Sequence, residues 1–367
     1  MNSHQRMLVT KALGFMCKDM AALEFPAYGC IYFDNVNLPQ SSLIPISGGK
    51  SIGPHCGNRY WSVAPGDPRT YARRPPNQGP WTTHAEYLRA LTDAGDSRIP
   101  TSTDTRNLEF KGTVDQHLHL HRASEEILLS LAQTEPLQST CTPTLLHHDM
   151  HKRNIFVSEQ DPSQITALID WQSSAVEPSH AYSDEMPDLC QKPEDWDDAE
   201  LKDPLNDEQR KKVNELSILQ RTWEVIVRAY MPEIYRARAM DQDFLRVAQY
   251  ASSAWRHGAV PVREDLIQLS RRWSGELGLS GPCPYQPTTE EIEMQKRLWP
   301  QFRDNLDLRK MLYKGLRTDE AGWVPIDRWE DTRIAHKTLF DEWYHHVVES
   351  GEFTEEQARM AWPYDIP

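Results

Sequence analysis

Leu145-Leu146-His147-His148-Asp149-Met150-His151-Lys152-Arg153-Asn154-Ile155-Phe156-Val157 is the stretch on which the reading of this chain turns. It sets His-x-Asp-x-x-x-x-Asn between an apolar lead-in, Leu145-Leu146, and a short run of strand character, Asn154–Val157. Glu159–Ser163 supplies turn residues, including Asp161-Pro162, and Ile165–Ile169 predicts a second strand, so a β-hairpin follows the polar loop. That second strand runs into Ile169-Asp170-Trp171, 21 residues past Asp149. The hairpin therefore returns a second carboxylate to the place where Asp149 and Asn154 already lie.

These residue types suit phosphoryl transfer. The reaction needs a carboxylate beside the acceptor hydroxyl, to orient it and take its proton, and oxygen ligands that hold Mg²⁺ against the phosphates of ATP. Asp149 and Asn154, five residues apart on one loop, serve the first role and part of the second, and Asp170 supplies the main metal carboxylate. The plainer readings are an Asx-turn at Asp149, a strand-start cap at Asn154 and an ordinary strand-end residue at Asp170. The cluster His147, His148, Asp149 and His151 also invites Zn²⁺, but adjacent histidines on one loop point apart and no distant ligand motif completes the set.

Outward from this segment the chain is mostly helical. Val9, Leu13, Met16, Met20 and Leu23 recur at helical spacing, and a short strand, Cys30–Phe33, follows the Pro26–Gly29 break. The Pro-, Gly- and Ser-rich region Leu38–Pro80 reads as irregular loop. Helices are expected over Thr83–Leu91 and Asp115–Leu131, with the polar stretch Asp93–Gly112 between them. In the second, His117, His119 and His121 are expected to point apart and be solvated. Val213, Leu216, Leu219, Trp223, Ile226 and Tyr230 mark a further helix after a cap near Asn206, and Leu339, Trp343 and Val347 another that ends before Gly351. The acidic stretch Glu194–Glu200 reads as a solvated linker.

With 367 residues, 39% hydrophobic and 26% charged, the chain can bury a sizeable core. Its net charge of −14 argues against a surface built for nucleic acid. No apolar run is long enough to span a membrane. Cys17, Cys30, Cys56, Cys141, Cys190 and Cys283 are far apart and read as reduced thiols, not as a disulfide framework. Ser47-Gly48-Gly49-Lys50-Ser51 is no phosphate-binding loop, because Ile44 stands where the first glycine of that motif belongs and Pro54 interrupts a following helix.

The central loop resembles that of the aminoglycoside phosphotransferase family of kinase-like enzymes, His-Gly-Asp-x-His-x-x-Asn, whose metal motif is Ile-Asp-Trp. Phe25-Pro26-Ala27-Tyr28-Gly29-Cys30-Ile31-Tyr32, Ser51-Ile52-Gly53-Pro54, Gly79-Pro80-Trp81 and Ile169-Asp170-Trp171-Gln172 are similar to its fungal members. The resemblance covers roughly residues 5–180, and the C-terminal helices loosely. It implies an α+β, protein-kinase-like fold, chiefly the helical large lobe with a small hairpin bearing the catalytic loop. Residues 1–205 would form that lobe, with catalytic loop 147–154 and metal motif 169–171, and residues 206–367 its helical C-terminal part. The implied activity transfers the γ-phosphate of ATP to a small-molecule hydroxyl with Mg²⁺. Asp149 matches the catalytic base, His147 the histidine bracing the catalytic loop, and Asn154 and Asp170 the metal and nucleotide ligands, while His148 replaces the usual Gly.

Kinase-like enzymes also carry a small lobe whose Gly-rich turn covers the phosphates and whose strand Lys pairs with a helix Glu. The 146 residues before His147 contain neither, so that lobe is expected to be missing. The alternative to catalysis is accordingly a pseudokinase-type binding protein. The acceptor is expected against the helices after Pro178, where Glu177 and Asp184 would suit a cation. The family resemblance points to mitochondria, although the start of the chain, with Asp19 and Glu24 among its basic residues, does not read as a presequence.

Overall fold

The computed structural model describes residues 1–61, 75–101, 108–172, 174–192, 206–318 and 322–362, so the stretch Glu194–Glu200 lies outside the described residues. Two compact units are present, residues 1–106 with 112–286, and residues 107–111 with 287–367. Among the described residues helices dominate both, with short strands confined to the first. The expected α+β class holds.

Helix starts are set locally. Asn2, Thr83, Thr113, Asn206, Thr288 and Thr354 each cap a helix in a reciprocal box, in which the cap side chain accepts from the amide of the third helical residue and that residue's Gln or Glu side chain accepts from the cap amide. The boxes open α1 (Ser3–Ala21), α2 (His84–Asp96), α3 (Val114–Leu131), α4 (Asp207–Tyr230), and in the second unit α8 (Thr289–Leu316) and α10 (Glu355–Ala361). Between them run α5 (Pro232–Ala239), α6 (Gln242–Ala251), α7 (Ala259–Arg272) and α9 (Trp329–Glu349).

The first unit has two main cores. One gathers Val9, Leu13 and Cys17 of α1, Leu219, Trp223, Ile226 and Val227 of α4, and Leu146, Met150 and Tyr182 from the central segment. Gly14 sits where α1 meets α4, and a Cβ there would lie 2.7 Å from the Ile226 Cδ1. Leu23 does not extend this face, because α1 ends at Ala21 and Leu23 is exposed. Tyr230, the last residue of the predicted α4 stripe, is also exposed and packs its ring on Phe15 at 5.4 Å.

The other core is formed by α2, α3, α6 and α7 around Tyr87, Leu91, Ile127, Leu131, Phe244 and Leu266. His117 and His121 are buried there, against expectation, while His119 is exposed. A spacing of four puts the outer two of the three histidines on one helix face, and that face is the inward one. In the second unit Leu312, Leu316, Phe340 and Trp362 form a core, with Leu339 and Trp343 packed against it.

Residues 44–53, within the region Leu38–Pro80, are more ordered than their composition suggests, and residues 62–74 of that region lie outside the described residues. Strands β2 (Ile44–Ile46) and β3 (Lys50–Gly53) pair antiparallel and join β1 (Cys30–Phe33) in a sheet of order β1-β3-β2. Gly48 and Gly49, at φ 73° and 67°, make the turn, a left-handed conformation that glycine adopts without a Cβ penalty. Ser47–Ser51 is thus a hairpin turn running into a strand. Tyr28 pairs with Trp81, and Gly29 with Val176.

Val176 lies on β7 (Val176–Pro178), the antiparallel partner of β4 (Pro143–Leu145). The next residue, Glu177, is buried and receives the His55 Nε2 at 2.8 Å and the Arg59 guanidinium at 3.5 Å. Burial pushes its carboxyl upward, but the charges of Arg59 and His55 prevail and hold it well below the usual carboxylate range. Glu177 is therefore an internal brace, not an acidic group offered to a cationic acceptor. Asp184 is exposed.

Two predictions follow from this packing. Leu146, 2% exposed, fills the core directly behind the central loop, so Leu146→Ala is expected to cost about 2–5 kcal/mol in chemical denaturation. The second concerns pH. Burial depresses His84 and His121 to about 4, and burial together with the neighbouring His84 depresses His180 to about 3. Below the ordinary value of about 6.5 the unfolded chain takes up protons that these folded rings refuse, so stability falls as pH drops from there toward 4. Asp265, which burial pushes up to about 6, acts in the opposite sense, one group against three. Below about 4.5 the loss continues through Glu177. Thermal melts should be flat from about pH 8 to 7 and decline steadily below 6.5; a melt that rises on acidification would contradict the assignment.

Candidate active site

The central loop leaves β4 at Leu145, and two apolar side chains anchor it. Leu146 and Met150 sink into the core between α1 and α4, while the backbone between them carries His147 and Asp149. A short 3₁₀ turn, Lys152–Asn154, leads into β5 (Ile155–Val157), which pairs antiparallel with β6 (Ile165–Leu168). The predicted hairpin is present, and the loop enters it and Ile169-Asp170-Trp171 leaves it at the same open end.

His147 is fully buried and both its ring nitrogens are engaged. Nδ1 accepts the Asp149 amide N–H at 3.1 Å, so the proton sits on Nε2, which donates to the Ile169 carbonyl at 2.9 Å. The ring also meets Trp171 edge-on, with centroids 4.7 Å apart. It is a positioning residue, holding the Asp149 backbone to the segment that carries Asp170.

Asn154 makes the complementary tie. Its Nδ2 donates to the Asp149 carbonyl at 2.9 Å and to Asp149 Oδ2 at 3.0 Å, and its own carbonyl accepts the Ile169 amide at 3.0 Å. The side-chain contacts use the amide nitrogen and not Oδ1.

Asp149 has a side chain about a third exposed, within reach of an entering molecule. Arg153 lies 3.1 Å from Oδ2 and His151 Nε2 3.0 Å from Oδ1. The other nitrogen of His151 is 3.2 Å from Asp188 Oδ2, and Asp188 Oδ1 accepts the Lys152 amide at 2.8 Å. His148 pairs with Glu185 at 3.1 Å beside the Tyr182 ring. Asp188, Glu185 and Arg153 were not singled out by sequence. The two acids act from about 37 positions downstream, where no periodicity links them to the loop.

Asp170 adopts φ 67°, a left-handed conformation that costs most L-residues about 1–2 kcal/mol and is tolerated best by Asn and Asp. Among the described residues it forms no hydrogen bond or ion pair. The carboxylate is carried on a backbone conformation that most L-residues avoid and keeps part of its surface exposed.

These donors fit Mg²⁺. Asn154 Oδ1 and the Asp170 carboxylate are hard oxygens, and Mg²⁺ completes its shell with water and phosphate. Among the described residues no three His, Cys, Asp or Glu side chains gather to hold a metal. The loop histidines, which suggested Zn²⁺, are instead engaged with Ile169, Glu185, Asp149 and Asp188.

Residues 46–180, which include the loop, the hairpin and Asp170, match the model of the phosphotransferase enzyme family. The chain is also 22% identical, over 362 residues, to altered inheritance of mitochondria protein 9, mitochondrial, from Yarrowia lipolytica. That alignment covers 90% of this chain and 57% of the relative. No solved structure matches. The segment that joins Asp149, Asn154 and Asp170 is therefore similar to the phosphotransferase enzyme family, and the chain around it to a fungal mitochondrial protein.

Proposed function

We propose that this protein is a kinase-like phosphotransferase that moves the γ-phosphate of ATP to a hydroxyl of a small molecule. The observation that carries the proposal is the cross-link at Ile169: His147 on its carbonyl and Asn154 on its amide bring Asp149 and Asp170, 21 residues apart, to one end of the hairpin. In this reading Asp149 orients the acceptor hydroxyl and takes its proton. Arg153 and His151 hold its carboxylate in place, and partial exposure keeps it open to the acceptor. Asn154 and Asp170 would hold Mg²⁺, which when bound neutralises charge on the phosphates. His147 acts through the backbone and has no free nitrogen for proton transfer.

The helices after Pro178 remain the acceptor side in this reading, with Asp184 as the exposed acid there. The fungal relative's name supports a mitochondrial location. Among the described residues no helix is long and apolar enough to cross a membrane.

Asp149→Ala is expected to lower ATP-dependent phosphorylation of an acceptor by about 10²–10⁴-fold while leaving the thermal melt nearly unchanged. The unaltered protein should gain thermal stability with millimolar Mg·ATP, and Asp170→Ala should abolish that gain. Retained turnover in Asp149→Ala would remove it as the base. Absence of any Mg·ATP-dependent shift in the unaltered protein would reject the phosphotransferase in favour of a non-catalytic binding protein.

A further inference from the structure

We propose that Cys30 and Cys56 are a redox modification site, forming an intramolecular disulfide when the protein meets hydrogen peroxide. The proposal is independent of the phosphotransferase reading. Cys30 opens β1, where it pairs with Gly53, and Cys56 follows three residues beyond that partner. The Cys56 amide donates to the Cys30 sulfur at 3.2 Å. An N–Cα bond of about 1.5 Å then places the Cys56 Cα no more than about 4.7 Å from that sulfur, a separation that a disulfide spans with side-chain rotation and little backbone movement.

The two thiols differ in the way a two-step oxidation requires. Cys56 is exposed and meets peroxide first, whereas Cys30 is buried behind it. The Tyr32 hydroxyl lies 2.8 Å from the Cys56 sulfur and 2.8 Å from the Pro54 carbonyl. It donates to that carbonyl while accepting from the thiol, and by turning it donates to the thiolate, the form that attacks peroxide. In the first step the Cys56 sulfur takes one oxygen from H₂O₂, giving Cys56–SOH and water. In the second, the Cys30 sulfur attacks Cys56, the S–S bond forms, and the hydroxyl leaves as water with the Cys30 proton. One peroxide is reduced and two thiols are oxidised. Burial pushes the Cys30 thiol up to about 12, so it stays protonated and unreactive until the sulfenic acid stands beside it.

Among the described residues none of the other four cysteines offers such an arrangement. Cys17, Cys190 and Cys283 are buried, and Cys141 donates to the Gln138 carbonyl at 3.2 Å. The modification also bears on the candidate site's surroundings. Cys30 lies 3.9 Å from the Ser174 carbonyl, and the preceding Gly29 pairs with Val176, both on the segment that runs from Asp170 into β7.

The test oxidises the full reduced chain with hydrogen peroxide, blocks remaining thiols, and maps the unreduced digest by mass spectrometry. The expected product is one species joining the Cys30 and Cys56 peptides, lighter by two hydrogen atoms than their sum and lost on reduction. Cys56→Ser, an exposed substitution, should keep the thermal melt and abolish the cross-link, while Cys30→Ala should let dimedone trap a sulfenic acid at Cys56. Accumulation of sulfinic acid at Cys56 in the unaltered protein, a cross-link to another cysteine or between chains, or an unchanged pair of thiols would overturn the proposal. If Cys30→Ala fails to fold, the product map of the unaltered protein and of Cys56→Ser decides the question.

Discussion

The candidate site depends on the double hydrogen bonding of one ordinary residue, Ile169. Its carbonyl accepts from His147 and its amide donates to Asn154. A hydrogen bond of this kind contributes about 1 kcal/mol net, but a buried group deprived of its partner costs about 1–3 kcal/mol, so the arrangement is close to all-or-none. Because both partners belong to the loop that carries Asp149, the distance between the two carboxylates is set by backbone contacts and not by the carboxylates themselves, which would repel each other.

That clamp would be loose without the packing behind it. Leu146 and Met150 are driven into the core between α1 and α4, and between them His147 is buried while His148 and Asp149 keep part of their surface exposed. Asp188 then ties the Lys152 amide, and the Asp188 amide returns to the Met150 carbonyl at 3.3 Å. On the far side, β7 is held to β4 and to Gly29, with the Glu177–His55–Arg59 brace beneath it. The hydrophobic effect supplies the depth of the loop, and the buried ion pairs supply the register of what surrounds it.

Much of this was legible in the residues. The loop spacing, the hairpin after it and the return of Asp170 follow from patterns that operate within about 25 positions, and β1 was readable from its flanking break. The β2–β3 hairpin was hidden because Pro45, Gly48 and Gly49 look like loop composition, and its strands exist through pairing with a third strand further back. Glu177 misled for a similar reason. A carboxylate on a short strand looks like surface until His55, 122 positions away, is seen beside it. In α3 the choice of the wrong interval, two instead of four, concealed the buried His117 and His121. What the residues withheld was consistently non-local, including the left-handed backbone of Asp170.

The reciprocal caps have a consequence for how such a chain can vary. A helix whose first turn is closed by its own side chains, as at Asn2, Thr113, Asn206 or Thr288, takes no instruction about its starting point from the residues upstream. Segments joining these helices can then lengthen or shorten between related proteins without sliding any helix along its axis or rotating its apolar face out of the core. Insertions are therefore expected to collect just ahead of the caps, and the hairpin with its two flanking loops, which has no such insulation, should resist them.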